Sequence, residues 1–295
     1  MKNYRFLMTM FALAALILTS CNKKQAATVS SADADSTTVV APTEKSQTDK
    51  LTTKKIAKSL KNDAGEFDLT IDFPEGGNAT LVNAIREYIS ESLGGTYGGG
   101  EEDSLQGSYS GDIADGEKMA NYYFDLKLKE FADMHKSMKA EGMPEIPELA
   151  SSIKITKGYE TDKVVTFNFS SYEFGGGAHG GAVGSGMTFR KTDGRRIGWD
   201  LFSTAKMQSV LREGLKEYFE VKTDDELAGN LTLDDSYFLP MPVTPPLFGK
   251  DGIIVTYQQY EIAAYAAGMP SFVIPYIKAK AMMNNTGKQL INYQL

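Results

Sequence analysis

His179 is the residue whose type and setting most invite a catalytic reading. It lies in the run Ser171-Tyr172-Glu173-Phe174-Gly175-Gly176-Gly177-Ala178-His179-Gly180 and is one of two histidines in the chain. An imidazole serves as general base when a hydroxyl lies beside it and a carboxylate orients it. Ser185 follows closely, and Asp193 or Asp200 would supply the acid. The serine, however, sits in Gly184-Ser185-Gly186, without the G-x-S-x-G spacing of a nucleophile elbow. The preferred reading is that the glycines supply positive φ for a tight connection and that His179 hydrogen-bonds backbone to hold it. A contact role for the loop stands between the two, because loops on a rigid sheet commonly carry contacts. The catalytic alternative is a hydrolase built on His179.

Other chemistry is thinly supported. His135 lies between Met134 and Lys136 and is expected to face solvent. Two distant histidines, without a usable thiol or a His-Glu-x-x-His pattern, give no zinc site. The pairs Asp224-Asp225 and Asp234-Asp235 lack the spacing of a calcium loop and read as solvated, with a calcium site the alternative. Gly98-Gly99-Gly100 lacks the lysine and hydroxyl of a phosphate loop. No metal or cofactor is therefore expected. Tyr257, Tyr260 and Tyr265 would form an exposed aromatic patch suited to sugar or protein contact, or else belong to the core.

The elements that must position these residues come in mixed order. Glu66 to Phe73 alternates, with Phe67, Leu69, Ile71 and Phe73 on one face, and reads as a strand. Leu81, Val82, Ile85, Tyr88 and Ile89 recur at helical spacing after a cap at Asn78 or Thr80. A second helix covers Lys118 to Lys139, with Met119, Tyr122, Tyr123, Leu126, Phe131 and Met134 inward, ending before Pro144 and Pro147. Strands follow at 152–159 and 163–174, and Gly175 to Gly186 reads as a glycine-rich connection. Met187 to Arg190 restarts the sheet, and Asp193-Gly194 is a hairpin signal. A helix at 203–219 and strands at 253–258 and 271–276 complete the pattern, with a compact turn between those strands at 260–268. Hairpins rather than regular β-α repeats give an α+β fold, a mainly antiparallel sheet packed with helices.

The N-terminus carries an address. Lys2 and Arg5 precede an apolar run from Phe6 to Leu18, the layout of a secretory signal and too short for a comfortable membrane span. Leu18-Thr19-Ser20-Cys21 then resembles the lipobox of bacterial lipoproteins. That resemblance implies lipid on the sulfur of Cys21, cleavage before it, and acylation of the new amine. Cys21 is the only cysteine, so no intramolecular disulfide competes for it. Two or three acyl chains anchor a protein durably. Removing residues 1–20 leaves 275 residues with 29 basic and 38 acidic side chains, a net charge of −9. Such a chain repels nucleic acid and attracts cationic partners. The stretch from Ala26 to Thr53 has no aromatic residue and no apolar period, so residues 21–60 read as a flexible tether. Asn22, Lys23 and Lys24 bring no acidic cluster after Cys21, which points to an outer membrane anchor facing the periplasm, with surface exposure the alternative. The folded part divides into residues 61–160 and 161–295.

Three segments share one pattern. They are the Ser171–Gly180 run; Asp193-Gly194-Arg195-Arg196-Ile197-Gly198-Trp199-Asp200-Leu201-Phe202; and Gly252–Tyr257 with Tyr260-Glu261-Ile262-Ala263-Ala264-Tyr265-Ala266-Ala267-Gly268 and Val273–Tyr276. Their order and spacing resemble the C-terminal domain of RsiV, the anti-sigma factor that senses lysozyme, over roughly 163–280. Residues 65–160 are similar to the smaller domain that often precedes it. The chain departs from RsiV in showing neither a sigma-binding segment nor a membrane-spanning helix, so the signalling role does not carry over. The resemblance implies a binding module whose contact residues would come from Tyr172, Gly176, Gly177, His179, Gly180, Tyr257, Tyr260, Glu261 and Tyr265. Its partner would be a cationic protein such as lysozyme, or peptidoglycan, and its membrane link Cys21. The alternatives are a peptidoglycan-acting hydrolase using His179, or a purely structural envelope lipoprotein.

Overall fold

A computed structural model describes residues 50–94, 109–143 and 145–291. Cys21 and its signal, residues 21–49 of the expected tether, residues 95–100 of the glycine-rich loop and Pro144 lie outside the described residues. The chain is α+β, as its patterning implies, with a six-stranded sheet, a three-stranded sheet and helices packed on both. Both hydrophobic cores lie within one compact unit, Lys45–Leu295. No helix among the described residues is long and apolar enough to cross a membrane.

The large sheet runs in sequence order, β1 (Thr52–Asn62), β2 (Gly65–Gly76), β3 (Leu149–Glu160), β4 (Val164–Phe174), β5 (Gly181–Arg190) and β6 (Arg196–Ile197). All neighbours are antiparallel except β2 and β3, whose parallel pairing needs a crossover. That crossover carries α1 (Ala79–Leu93) and α2 (Gly116–Ala140). Asn78 caps α1, its side chain accepting the Leu81 N–H at 3.1 Å, and Asp115 caps α2 through Lys118 N–H at 3.0 Å. Both caps satisfy amides that a helix start leaves orphaned.

The alternating side chains of β2 and Val165, Phe167 and Phe169 of β4 meet α1 and α2 in the first core. The buried face of α2 is Met119, Ala120, Tyr123 and Phe131, with Phe124 and Leu128 beside them. Tyr122 and Leu126, expected inward, are exposed, because the helix is rotated to put Phe124 and Leu128 at its flank.

β1 departs from the expected tether. Its only buried residue is Ile56, so the apolar pattern gave no signal. Order comes from a backbone ladder with β2, Thr52 opposite Gly76 through Asn62 opposite Gly65. Ion pairs add to it, Lys54 with Glu117 at 3.0 Å and Lys61 with Glu148 at 2.6 Å.

A second layer covers the other face of β4 and β5. It contains β7 (Leu247–Phe248), β8 (Gly252–Thr256) and β9 (Ser271–Pro275), with α3 (Thr204–Tyr218), α4 (Asp224–Ala228), α5 (Tyr276–Met282) and α6 (Asn285–Leu290) around a second core. The two layers join at a buried polar contact. Thr166 and Thr188 hydroxyls lie 2.9 Å apart, Thr166 donates to the Phe248 carbonyl at 2.8 Å, and Phe248 N–H donates to Thr188 at 3.0 Å. The large sheet runs across residues 160 and 161, since β3 pairs with β4 along its length.

β5 also corrects the reading of Gly175 to Gly186 as a connection throughout. Gly181 to Gly186 form more than half of a strand paired with β4. Gly186 among them answers to packing. A Cβ on Gly186 would overlap the Phe167 carbonyl and crowd Leu247 of β7. Only a bare backbone lets β4 lie this close to β5 here, with Leu247 of the second layer against the same spot.

Candidate functional site

The end of β4, the start of β5 and the turn between β8 and β9 meet at one surface. Tyr172 pairs with Ala182 across the β4–β5 ladder. Its ring occupies the space where a Cβ on Gly180 would stand. His179 is exposed, and its ring stacks on Tyr265 with centroids 3.8 Å apart and planes 21° apart. Its Nδ1 lies 3.1 Å from the Gly180 carbonyl, which also accepts the Tyr265 hydroxyl at 2.8 Å. Tyr260 follows at 5.5 Å from Tyr265, tilted by 35°. The Tyr260–Tyr265 spacing suits a favourable ring contact, and His179 lies close and nearly face to face on Tyr265. The result is a column, His179–Tyr265–Tyr260, with Tyr172 beside its first member. Tyr172 is 43 % exposed and Tyr260 63 %.

Two features hold Tyr260 outward. Its backbone is left-handed, φ 65°, a region costly for a bulky side chain. The next residue turns inward and fastens the turn. Glu261 accepts the Gln258 N–H at 2.7 Å on one oxygen and the Val243 N–H at 2.8 Å on the other. Burial pushes the Glu261 carboxyl above the usual range, against the pull of these two amides. Ile262 and Ala263 then enter the second core. The order Tyr-Glu-Ile-Ala-x-Tyr thus reads as ring out, clamp in, two anchors, ring out.

Residues without chemical promise of their own complete the frame. Gln258 exchanges two hydrogen bonds with the Gly184 backbone, at 3.2 and 2.7 Å, and Gln259 accepts the Ala182 N–H at 2.9 Å. Their amides extend the edge of β5 as a strand would. The proline-rich segment carrying Val243 is fixed by Trp199, which donates to the Pro242 and Thr244 carbonyls, and by the Tyr257 hydroxyl on Pro240 at 2.8 Å. Val243 itself is 76 % exposed beside the turn. Trp199, Val243, Gln258 and Gln259 were not among the expected contact residues. Glutamines between two tyrosines signal nothing until their backbone partners are known.

Of the expected contact residues, Tyr172, His179, Gly180, Tyr260, Glu261 and Tyr265 come together. Tyr257 does not. It is wholly buried in the second core, and that burial pushes its phenol pKa well up. It faces inward because β8 alternates into the turn, so Val255 and Tyr257 share one side. Gly176 lies by Pro147 and Met138 at the end of α2, and Gly177 has open space around it. Both have positive φ, as the tight connection requires.

His179 bonds to a carbonyl and stacks on a phenol ring. Among the described residues no hydroxyl or carboxylate is hydrogen-bonded to it, and Ser185 is buried in the sheet. The acidic pairs serve structure. Asp224 pairs with Lys216 at the start of α4, and Asp225 accepts the Tyr237 hydroxyl at 2.6 Å. No cluster of three metal-binding side chains exists among the described residues. His135 is half-exposed.

Residues 200–277 match the family described as "Protein of unknown function (DUF3298)". No curated protein matches the chain. Two solved DUF3298 structures are similar. One, from Bacteroides fragilis, is 17 % identical, with 80 % of this chain and 94 % of that one covered and a TM-score of 0.62. The other, from Pseudomonas aeruginosa PAO1, is 13 % identical, with 84 % and 99 % covered and a TM-score of 0.54. At these identities the likeness is one of fold. The family match takes in Tyr260, Glu261 and Tyr265, while Tyr172 and His179 reach the column from the strand pair before it, so that the chain is a DUF3298-like fold carrying one aromatic surface built from two separate segments.

Proposed function

We propose that the chain is a lipid-anchored, extracytoplasmic binding module of the bacterial cell envelope, with an RsiV-like C-terminal domain. The aromatic column would be its contact surface, and its ligand a lysozyme-like protein or a cell-wall glycan. The carrying observation is that an exposed tyrosine is held in a strained backbone conformation, in line with two other rings, by a half-buried carboxylate clamp. Strain kept at a surface position points to function, because the core has no use for it. The signal and lipobox-like segment support the location, and the excess of acidic residues is compatible with a cationic partner.

Calorimetric titration of residues 45–295 with c-type lysozyme, and separately with soluble peptidoglycan fragments, tests the reading. The fragment must retain β1, since trimming to residue 61 would strip the edge of the sheet. Saturable heat with either ligand, surviving moderate salt and lost in Tyr260→Ala, is expected. Absence of heat with both overturns the proposal.

A further inference from the structure

The charge around the column narrows the ligand class, on the reading that the column is the binding surface. Two carboxylates lie among the residues that build or flank it, and both are occupied. Glu261 is spent on the Val243 and Gln258 amides. Glu173, next to Tyr172, shares Lys127 with Glu130, at 3.3 and 2.8 Å. A cationic partner would find one net negative charge at that edge and no more. A polyanion would find no cation, since none of Tyr172, His179, Gly180, Val243, Gln258, Gln259, Tyr260 and Tyr265 is a lysine or arginine, and the chain is net −7. A lipid tail would need an enclosed apolar channel, whereas these rings stand on open surface.

What the surface does offer is ring area edged by phenol hydroxyls and by the exposed loop from Gly177 to His179. Gly177 has nothing packed where a side chain would stand. The ligand that uses both is uncharged, with C–H faces for the rings and hydroxyl or amide groups for the peptides. We propose that this surface binds an uncharged oligosaccharide, sugar C–H groups packing against the exposed parts of Tyr260, His179 and Tyr172 and polar groups bonding the exposed Gly177–His179 backbone. The rigid stack presents its rings already ordered, so little side-chain freedom is lost on binding.

The probe is the uncharged tetramer of β-1,4-linked N-acetylglucosamine, titrated calorimetrically into residues 45–295. Saturable binding, unchanged between low and moderate salt, is expected. Tyr260→Ala and Tyr265→Ala should each weaken it at least ten-fold. Tyr260→Gly should weaken it equally while keeping the turn, since glycine accepts the left-handed backbone, which separates loss of the ring from loss of the fold. Tyr237→Ala, at an exposed tyrosine bonded to Asp225 on α4, should leave affinity unchanged. Heat from lysozyme but none from the tetramer overturns the saccharide assignment and leaves the binding-module reading standing. Heat from neither, nor from peptidoglycan fragments, overturns both. Full tetramer affinity in Tyr260→Gly overturns this surface as the site.

Discussion

Replacing Tyr260 with glycine should leave the protein more stable than replacing it with alanine, the reverse of the usual order. Tyr260 is left-handed at φ 65°, a conformation costing a residue with a Cβ roughly 1–2 kcal/mol. Alanine keeps that cost and glycine removes it. Glycine also frees the unfolded chain, which subtracts about 0.5–1 kcal/mol. The ring contact with Tyr265, worth about 0.5–1.5 kcal/mol, is lost in both variants. So is the same burial, which is small at 63 % exposure. The difference between variants is then between about 0 and 1.5 kcal/mol in favour of glycine. At an unstrained exposed position glycine is instead the less stable by a similar amount. Urea unfolding of both variants, compared by midpoint at constant slope, reads the difference. Alanine equal to or above glycine would show that the turn bears no strain at Tyr260, and the argument from strain to function would fall with it.

Gly186→Ala should destabilise by about 1–3 kcal/mol, the range for overpacking, because its Cβ would overlap the Phe167 carbonyl; thermal melts check it, and an unchanged melt would mean that β4 and β5 are not packed this closely. Glu261 has a folded pKa above its ordinary 4.5. A carboxyl raised in this way contributes stability below the ordinary value and loses it as pH rises through the folded value. Relative to Glu261→Gln, the wild type should therefore lose stability from acid toward neutral pH, and parallel stability curves for the two would refute the raised pKa. Cys21→Ala should shift the full-length protein from the membrane to the soluble extracytoplasmic fraction, as read by fractionation and by loss of labelled-palmitate incorporation; retention in the membrane would refute lipid anchoring at that residue.

The legible parts of the fold were those where a single period governs a buried face. Phe67 to Phe73, the apolar ladder of α1 and the Val165–Phe169 alternation all declared themselves because one side of each element meets the first core. β1 did not, since its order rests on backbone pairing that lysines and threonines serve as well as valines. The start of β5 did not, because Gly181, Gly184 and Gly186 within a paired strand resemble the glycines of a loop. α4 was hidden by its charge. The pair Asp224-Asp225 read as solvated, but with Glu226 it suits the positive end of a helix that Thr223 and Glu226 cap reciprocally. At the site, the tyrosines and His179 were visible as types, but which ring is buried depended on strand phase. Tyr257 and Tyr260 lie three positions apart and face opposite ways, because the chain reverses between them through Gln258 and Gln259.

The order of strands also fixes how the molecule would bear a load. The polypeptide enters the fold through β1, the outermost strand, at the Thr52–Gly76 pair. Tension applied upstream and directed away from the sheet edge falls on one rung at a time. Such peeling opposes each step with a single rung, where sliding two strands past each other would strain many rungs together. β1 contributes Ile56 alone to the buried face of the first core, so its detachment would leave the helices on β2 and the whole second layer in place. An extended β1 of eleven residues would span about 36 Å at 3.3 Å per residue, and, on the proposed membrane anchorage, the strand would act as a yielding link between that anchor and the aromatic surface.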